Sequence, residues 1–194
     1  MGTQLDEGAL RQLFLDARTL RAWQPRDVPD SLLAQIVDLM KMAPTANNSL
    51  PARIVFVKSK AAKERLKPLL ASGNVDKTMT APATAIVGFD LKFYEHQPAG
   101  QEPLTKHFGD KPDLAHTVAF RGGSLQGGYF ILAARALGLD CGPMSGFDNA
   151  GVDKEFFAGT DVKSNFLCNL GYGDRTGLRP RQPRFAFDEI ARIL

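Results

Sequence analysis

The sequence predicts an α+β sandwich, a sheet layered with helices, and three observations carry that expectation. Short runs of β-forming residues stand at Ile54-Val-Phe-Val57, Ala83-Thr-Ala-Ile-Val-Gly-Phe89 and Asn165-Phe-Leu-Cys-Asn-Leu170. Segments of helical period separate them. The strands are too few and too irregularly spaced for a doubly wound parallel sheet. With 194 residues, 44% hydrophobic and 23% charged, the chain can bury a full core as a single domain over residues 1–194.

Taken in order, Asp30 or Ser31 is placed to cap a helix in which Leu32, Leu33, Ile36, Val37 and Met40 recur at helical spacing, with Pro44 beyond its end. The run 54–57, bounded by Arg53 and Lys58, reads as a strand buried on both faces. A helix from about Ala61 to Leu70 follows, then the second strand at 83–89. From Leu91 to about Pro112 periodicity is lost and Pro98, Gly100, Pro103 and Gly109 gather, so a long loop is expected. Its Phe93, Tyr94, His96 and Phe108 are candidates for a lid. A helix from about Ala115 to Leu137 carries Gly122, Gly123, Gly127 and Gly128. Each mid-helix glycine costs about 1 kcal/mol relative to alanine, so these glycines predict close approach of another backbone or a flat ligand. After the third strand a proline-rich arm leads to a short helix beyond Phe187.

Composition removes several function classes. No stretch of about 18 apolar residues occurs, as a membrane span requires, and residues 1–15 lack a signal-peptide core, so a cytoplasmic protein is expected. Cys141 and Cys168 have no metal-site or disulfide spacing and read as reduced, buried thiols. His96, His107 and His116 are not spaced as metal ligands, and no metal is expected. The net charge of +3 is too mild for a nucleic-acid binder. It concentrates where Arg175, Arg179, Arg181 and Arg184 fall within ten residues on an arm stiffened by Pro180 and Pro183. Guanidinium forks match phosphate oxygens, so a small anionic ligand is indicated.

Nucleophile and dinucleotide motifs fail on spacing. Gly171-Tyr-Gly173-Asp-Arg-Thr-Gly177 is one residue too long at its end for a dinucleotide fingerprint and opens no helix. Gly142-Pro-Met-Ser145-Gly146 has one residue too many before the serine for a nucleophile elbow. Without acid, base or nucleophile machinery, an enzyme of this sequence would rely on a cofactor's reactivity, with no catalytic side chain of its own.

Six segments in order then carry a resemblance: Ala43-Pro-Thr, Pro51-Ala-Arg-Ile-Val-Phe-Val, Gly73-Asn-x-x-Lys77, Ser124-Leu-Gln-Gly, the run from Leu132 to Asn149, and Ser164-Asn-Phe-Leu-Cys-Asn-Leu-Gly-Tyr-Gly-Asp174. Over nearly the whole length, from Arg18 to Leu194, the chain resembles the nitroreductase family of FMN-dependent oxidoreductases. The branch it resembles most contains the malonic semialdehyde reductase of pyrimidine breakdown, also described as a 3-hydroxypropanoate dehydrogenase.

The resemblance implies a central, mostly antiparallel sheet flanked by helices, an extended C-terminal arm, and a homodimer with FMN at the interface. It places Arg18, Thr19 and Arg21 at the FMN phosphate, with Arg179 and Arg181 completing the grip. Pro44, Thr45, Ala46 and Asn47 match the stretch that the other subunit lays beside the isoalloxazine ring. Asn74 and Lys77 match residues that bond the ring's polar edge, and the turn Pro143-Met144-Ser145-Gly146 matches backbone facing flavin N5. The implied activity is ping-pong hydride transfer from NADPH or NADH to a small acceptor, malonic semialdehyde first. For such an acid, Arg53 or a cleft arginine is a candidate to hold the carboxylate, and a strand-end salt bridge is the equal alternative for Arg53. The sequence departs from the family where Ala17 and Arg18 replace paired basic residues, where Leu50 precedes Pro51, at Gly122 and Gly123, and over the loop from His96 to Asp113. A broad nitro, quinone or flavin reductase, and a flavin-binding protein without turnover, would use the same scaffold. A nucleic-acid binder using the basic arm is a third class.

Overall fold

The structure, a computed structural model, describes residues 2–194. In chain order it comprises α1 (Glu7–Leu10, continued by a π-helical turn at Arg11–Leu15), α2 (Asp30–Met40), β1 (Ala52–Val57), α3 (Lys60–Leu66), α4 (Val75–Met79), β2 (Ala83–Asp90), α5 (Thr105–Phe108), α6 (Pro112–Ala136), β3 (Asp140–Met144), α7 (Asn149–Phe156), β4 (Val162–Gly171) and α8 (Phe187–Ile190). The four strands form one antiparallel sheet in the order β1-β2-β4-β3. This is the α+β arrangement that the sequence predicts.

Strand β2 is buried along its whole length because it lies inside the sheet with helices on both faces. Its side chains alternate with the pleat. Ala83 and Ala85 join the core beneath α6 with Leu33, Ile36, Phe130 and Leu170, whereas Ile86 joins Val57, Leu66, Met144, Val152 and Leu167 on the opposite face. Full burial of a side chain such as Phe130 is worth about 1.5–3 kcal/mol. Helix α6 runs across all four strands, and α2 packs against it. The glycines of α6 make this approach possible. A Cβ on Gly123 would stand 2.8 Å from the Phe89 Cβ, and one on Gly127 would stand 2.6 Å from the Phe166 ring. The alternative of a flat ligand over these glycines is thereby corrected: sheet side chains fill the space, while Gly128 faces open space.

Other expectations are also corrected. The run 54–57 belongs to a longer edge strand that is only half-buried over Ala52 to Phe56, because one of its edges has no strand neighbour. Neither Asp30 nor Ser31 caps α2; the N-cap is Pro29, and Asp30 is the first helical residue. The loop after β2 is not a lid of aromatics. Phe93 and Phe108 are buried with Phe89, Ala115 and Ala119 in a satellite core, and Tyr94 packs against it. The third predicted strand starts earlier, at Val162, and pairs with a strand that the sequence reading took for a turn, β3. Pro143 is tolerated there because β3 is an edge strand, where a missing N–H interrupts no ladder.

Candidate functional site

The candidate residues gather on the outer edge of β3. The segment after α1 docks there: Leu20 N–H donates to the Cys141 carbonyl at 3.0 Å, and Thr19 bridges Cys141 in parallel. Gly142 makes the docking possible, since a Cβ there would lie 2.7 Å from the Leu20 carbonyl oxygen. The chain leaving β4 runs alongside, with Asp174 N–H donating to Ala22 O at 2.9 Å and Gln24 N–H donating to Tyr172 O at 2.8 Å. Both segments therefore arrive at one place although they are far apart in sequence.

Between them lies a cleft of about 740 Å³ lined by Arg18, Thr19, Arg21, Arg179 and Arg181, joined by Arg135 and Arg184. Its single lining carboxylate, Asp174, is held below the usual carboxylate range by the N–H and hydroxyl of Thr176. Six guanidinium groups stand against one carboxylate, so the lining carries a strong excess of positive charge. The arm is stitched to the N-terminal segment: Arg18 donates to Arg179 O at 2.5 Å, and Arg181 donates to Leu15 O at 2.6 Å and Ala17 O at 2.9 Å. Arg175, the remaining arginine of the arm's cluster, is diverted to a 2.7 Å ion pair with Asp140.

Toward the other end of β3 the chain brings Asn74 and Gly146 together. Asn74 Nδ2 donates to Gly146 O at 2.6 Å, and that carbonyl also accepts from Ala71 N–H at 3.0 Å. Pro143 and Met144 are the last residues of β3, so the expected turn is confined to Ser145 and Gly146, both exposed. Lys77 is half-buried on α4. Burial, and secondarily the charge of Arg21, push its ammonium below the ordinary lysine range.

Several residues that sequence reasoning missed hold this arrangement. The Lys77 carbonyl accepts from Trp23 Nε1 at 2.9 Å and from Asn169 Nδ2 at 3.1 Å. Asn169, fully buried in β4, also accepts from Thr84 Oγ1 at 2.7 Å. Lys63 is buried beneath α4 and donates to the carbonyls of Thr78, Met79 and Ala81, groups left without partners at and just beyond the end of that helix. A polar residue inside the apolar run 166–170 was the available signal for Asn169; nothing local marked Lys63.

The turn containing Pro44, Thr45, Ala46 and Asn47 lies elsewhere. It precedes β1, the opposite edge of the sheet, three strand spacings or roughly 14 Å from β3. Asn47, Asn48 and Leu50 have φ of 53°, 52° and 44°, left-handed backbone that costs on the order of 1–3 kcal/mol per residue. Arg53 is not free for a substrate carboxylate. It donates to Asp90 Oδ2 at 2.7 Å and to the carbonyls of Leu50 and Ala52, as a strand-end ion pair does.

The chain is thus an α+β protein with an arginine-lined cleft on the edge of a helix-covered antiparallel sheet. Within that class the chain belongs to the Nitroreductase family, whose sequence model matches residues 15–172. It is 59% identical over 193 residues to a Burkholderia lata protein named "Putative NADH dehydrogenase/NAD(P)H nitroreductase", covering 98% of this chain and 99% of that one. A Stenotrophomonas maltophilia protein of the same description is 59% identical over the whole of both chains. Among solved structures, a nitroreductase from Exiguobacterium sibiricum in complex with FMN superposes with a TM-score of 0.84 at 19% identity, covering 100% of this chain and 99% of that one. Family membership makes the protein an oxidoreductase of the nitroreductase type. Among the described residues no helix is long and apolar enough to cross a membrane.

Proposed function

We propose that the chain acts as a homodimeric reductase of a small carbonyl acid, malonic semialdehyde to 3-hydroxypropanoate, with one FMN site on each β3 edge. FMN, when bound, would supply the hydride chemistry between NADPH or NADH and the acceptor. The chain's own residues bind and orient. Arg18, Thr19, Arg21, Arg179 and Arg181 hold the phosphate, at about 1.5–3 kcal/mol per charge-assisted bond. Asn74 and Lys77 meet the polar edge of the ring, and main-chain groups of Pro143, Met144, Ser145 and Gly146 face its reactive centre. Pro44, Thr45, Ala46 and Asn47 come from the second copy. The observation that carries this reading is the meeting of arginines from both ends of the chain in one cleft beside Lys77.

The dimer is supported by the separation of the two candidate halves on opposite sheet edges, which one copy cannot close over a single ring. Exposed Leu39 and Met42 on and after α2, and Phe120, Leu125 and Tyr129 on α6, supply apolar surface for it. With Arg53 committed to Asp90, a substrate carboxylate is left to a cleft arginine that the phosphate does not engage. The names of the relatives favour a second reading, a broad nitro or quinone reductase on the same site. Steady-state kcat/KM for malonic semialdehyde against nitroaromatics and quinones separates the two. A higher value for the semialdehyde is expected, and a higher value for the nitroaromatics would replace it with the broad reading.

A further inference from the structure

Three residues among four consecutive positions, Asn47, Asn48 and Leu50, are left-handed, and the first two are clasped by a side chain from the distant loop after β2. We propose that this side chain, Gln101, is the positioning residue of the flavin-facing turn, and that through it the loop of residues 91–111 sets how the turn meets the cofactor. The second half of the proposal rests on the reading of Pro44 to Asn47 as a flavin contact.

The hydrogen bonding of Gln101 is complete. Its Nε2 donates to Gln97 Oε1 at 2.5 Å and to the carbonyls of Asn47 and Asn48 at 3.2 and 3.3 Å, while its Oε1 accepts from Asn48 Nδ2 at 2.6 Å. One N–H thus goes to Gln97 and the other is shared by two carbonyls. The clasp is anchored in turn: Gln97 Nε2 donates to the carbonyl of Phe93, whose side chain is fully buried in the satellite core. A rigid cluster therefore reaches the turn through two amides.

Bonds inside the turn do not replace the clasp. Asn48 and Ser49 N–H donate to the Thr45 and Ala46 carbonyls at 3.0 Å each, and Leu50 N–H donates to Thr45 Oγ1 at 3.1 Å. These leave the carbonyls of Asn47 and Asn48 to Gln101. Arg53 holds the end of the turn at the Leu50 carbonyl, 3.0 Å away, but Ser49 Oγ is buried without a hydrogen-bond partner among the described residues. A left-handed conformation persists only where surroundings impose it. Glutamate at 101 would keep the acceptor but lose both donors, and asparagine is one methylene short.

Hydrogen exchange on the flavin-free protein tests the clasp directly. In Gln101→Ala and Gln101→Glu, the amides of Asn48, Ser49 and Leu50 are expected to exchange at least about tenfold faster while those of β2 are unchanged. With FMN added, both variants are expected to show a Kd raised about tenfold and a shifted visible flavin band relative to wild type. Unchanged exchange in the turn would overturn the clasp. Faster exchange with wild-type Kd and spectrum would overturn the link to the cofactor. A wild-type protein that takes up no FMN would defeat the flavin reading of the turn, and with it the second half of the proposal, while the exchange rates still decide the first.

Discussion

Lys63 occupies a position where an apolar side chain would pack, and its ammonium gains only carbonyl dipoles in return for lost water. Burial lowers its pKa to about 8. The sign of the consequence follows from proton counting: between about 8 and 10.5 the unfolded chain binds the proton and the folded chain does not, so stability rises with pH across that window. The full effect amounts to about 3 kcal/mol at 1.36 kcal/mol per pKa unit. Urea titrations at several pH values should show this rise, and Lys63→Met should flatten it. In the cleft the roles divide differently. Lys77→Met is expected to slow flavin reduction more than it weakens FMN binding, whereas Arg181→Ala should raise the FMN Kd by roughly 10- to 100-fold, at 1.5–3 kcal/mol for a lost charged bond, with a smaller effect on reduction. Stopped-flow reduction and fluorescence titration of both variants measure the two quantities, and equal effects on both would refute the division.

Helix α6 joins two kinds of glycine within one element. Gly127 lies against the Phe166 ring, so Gly127→Ala should destabilise by about 1–3 kcal/mol through overpacking. Gly128, exposed, should gain up to about 1 kcal/mol on substitution by alanine. Thermal melts of the two variants should move in opposite directions. The same helix shows what was legible in the sequence. Its period, that of α2 and the apolar runs of β2 and β4 register local patterns and were readable. Strand β3 was not, because Cys141-Gly-Pro-Met144 has neither alternation nor β-branched residues; it exists by virtue of β4 on one side and Leu20 on the other. The buried state of Phe93 and Phe108 was equally hidden, since a satellite core is assembled from residues with no shared period. For the candidate site, the arginines of the arm stood out as a composition anomaly, Arg18 and Arg21 were named only through the resemblance, and Arg135 carried no signal. Trp23, Lys63, Gln101 and Asn169 act through main-chain carbonyls, which no sequence pattern displays.

Across the whole molecule, the proposed site draws its phosphate cleft from one β3 edge and its strained turn from the far edge of a second copy. Two defective variants should therefore complement one another. Arg181→Ala spoils the cleft, and Ala46→Trp, at an exposed position, blocks the turn. A mixed dimer would carry both lesions in one site and none in the other, so unfolding and refolding the two together should restore up to about half of wild-type turnover per mixed dimer. Sites contained within single copies would give no recovery. The stitching of Arg181 to Leu15 and Ala17 has one more outcome, which concerns birth rather than catalysis. A ribosome makes Arg18 and Arg21 early and Arg179 and Arg181 only after the last strand, so the emerging polypeptide owns half a binding place until translation is nearly over. A message cut short after Gly173 would still encode every strand yet leave its product unable to keep a nucleotide.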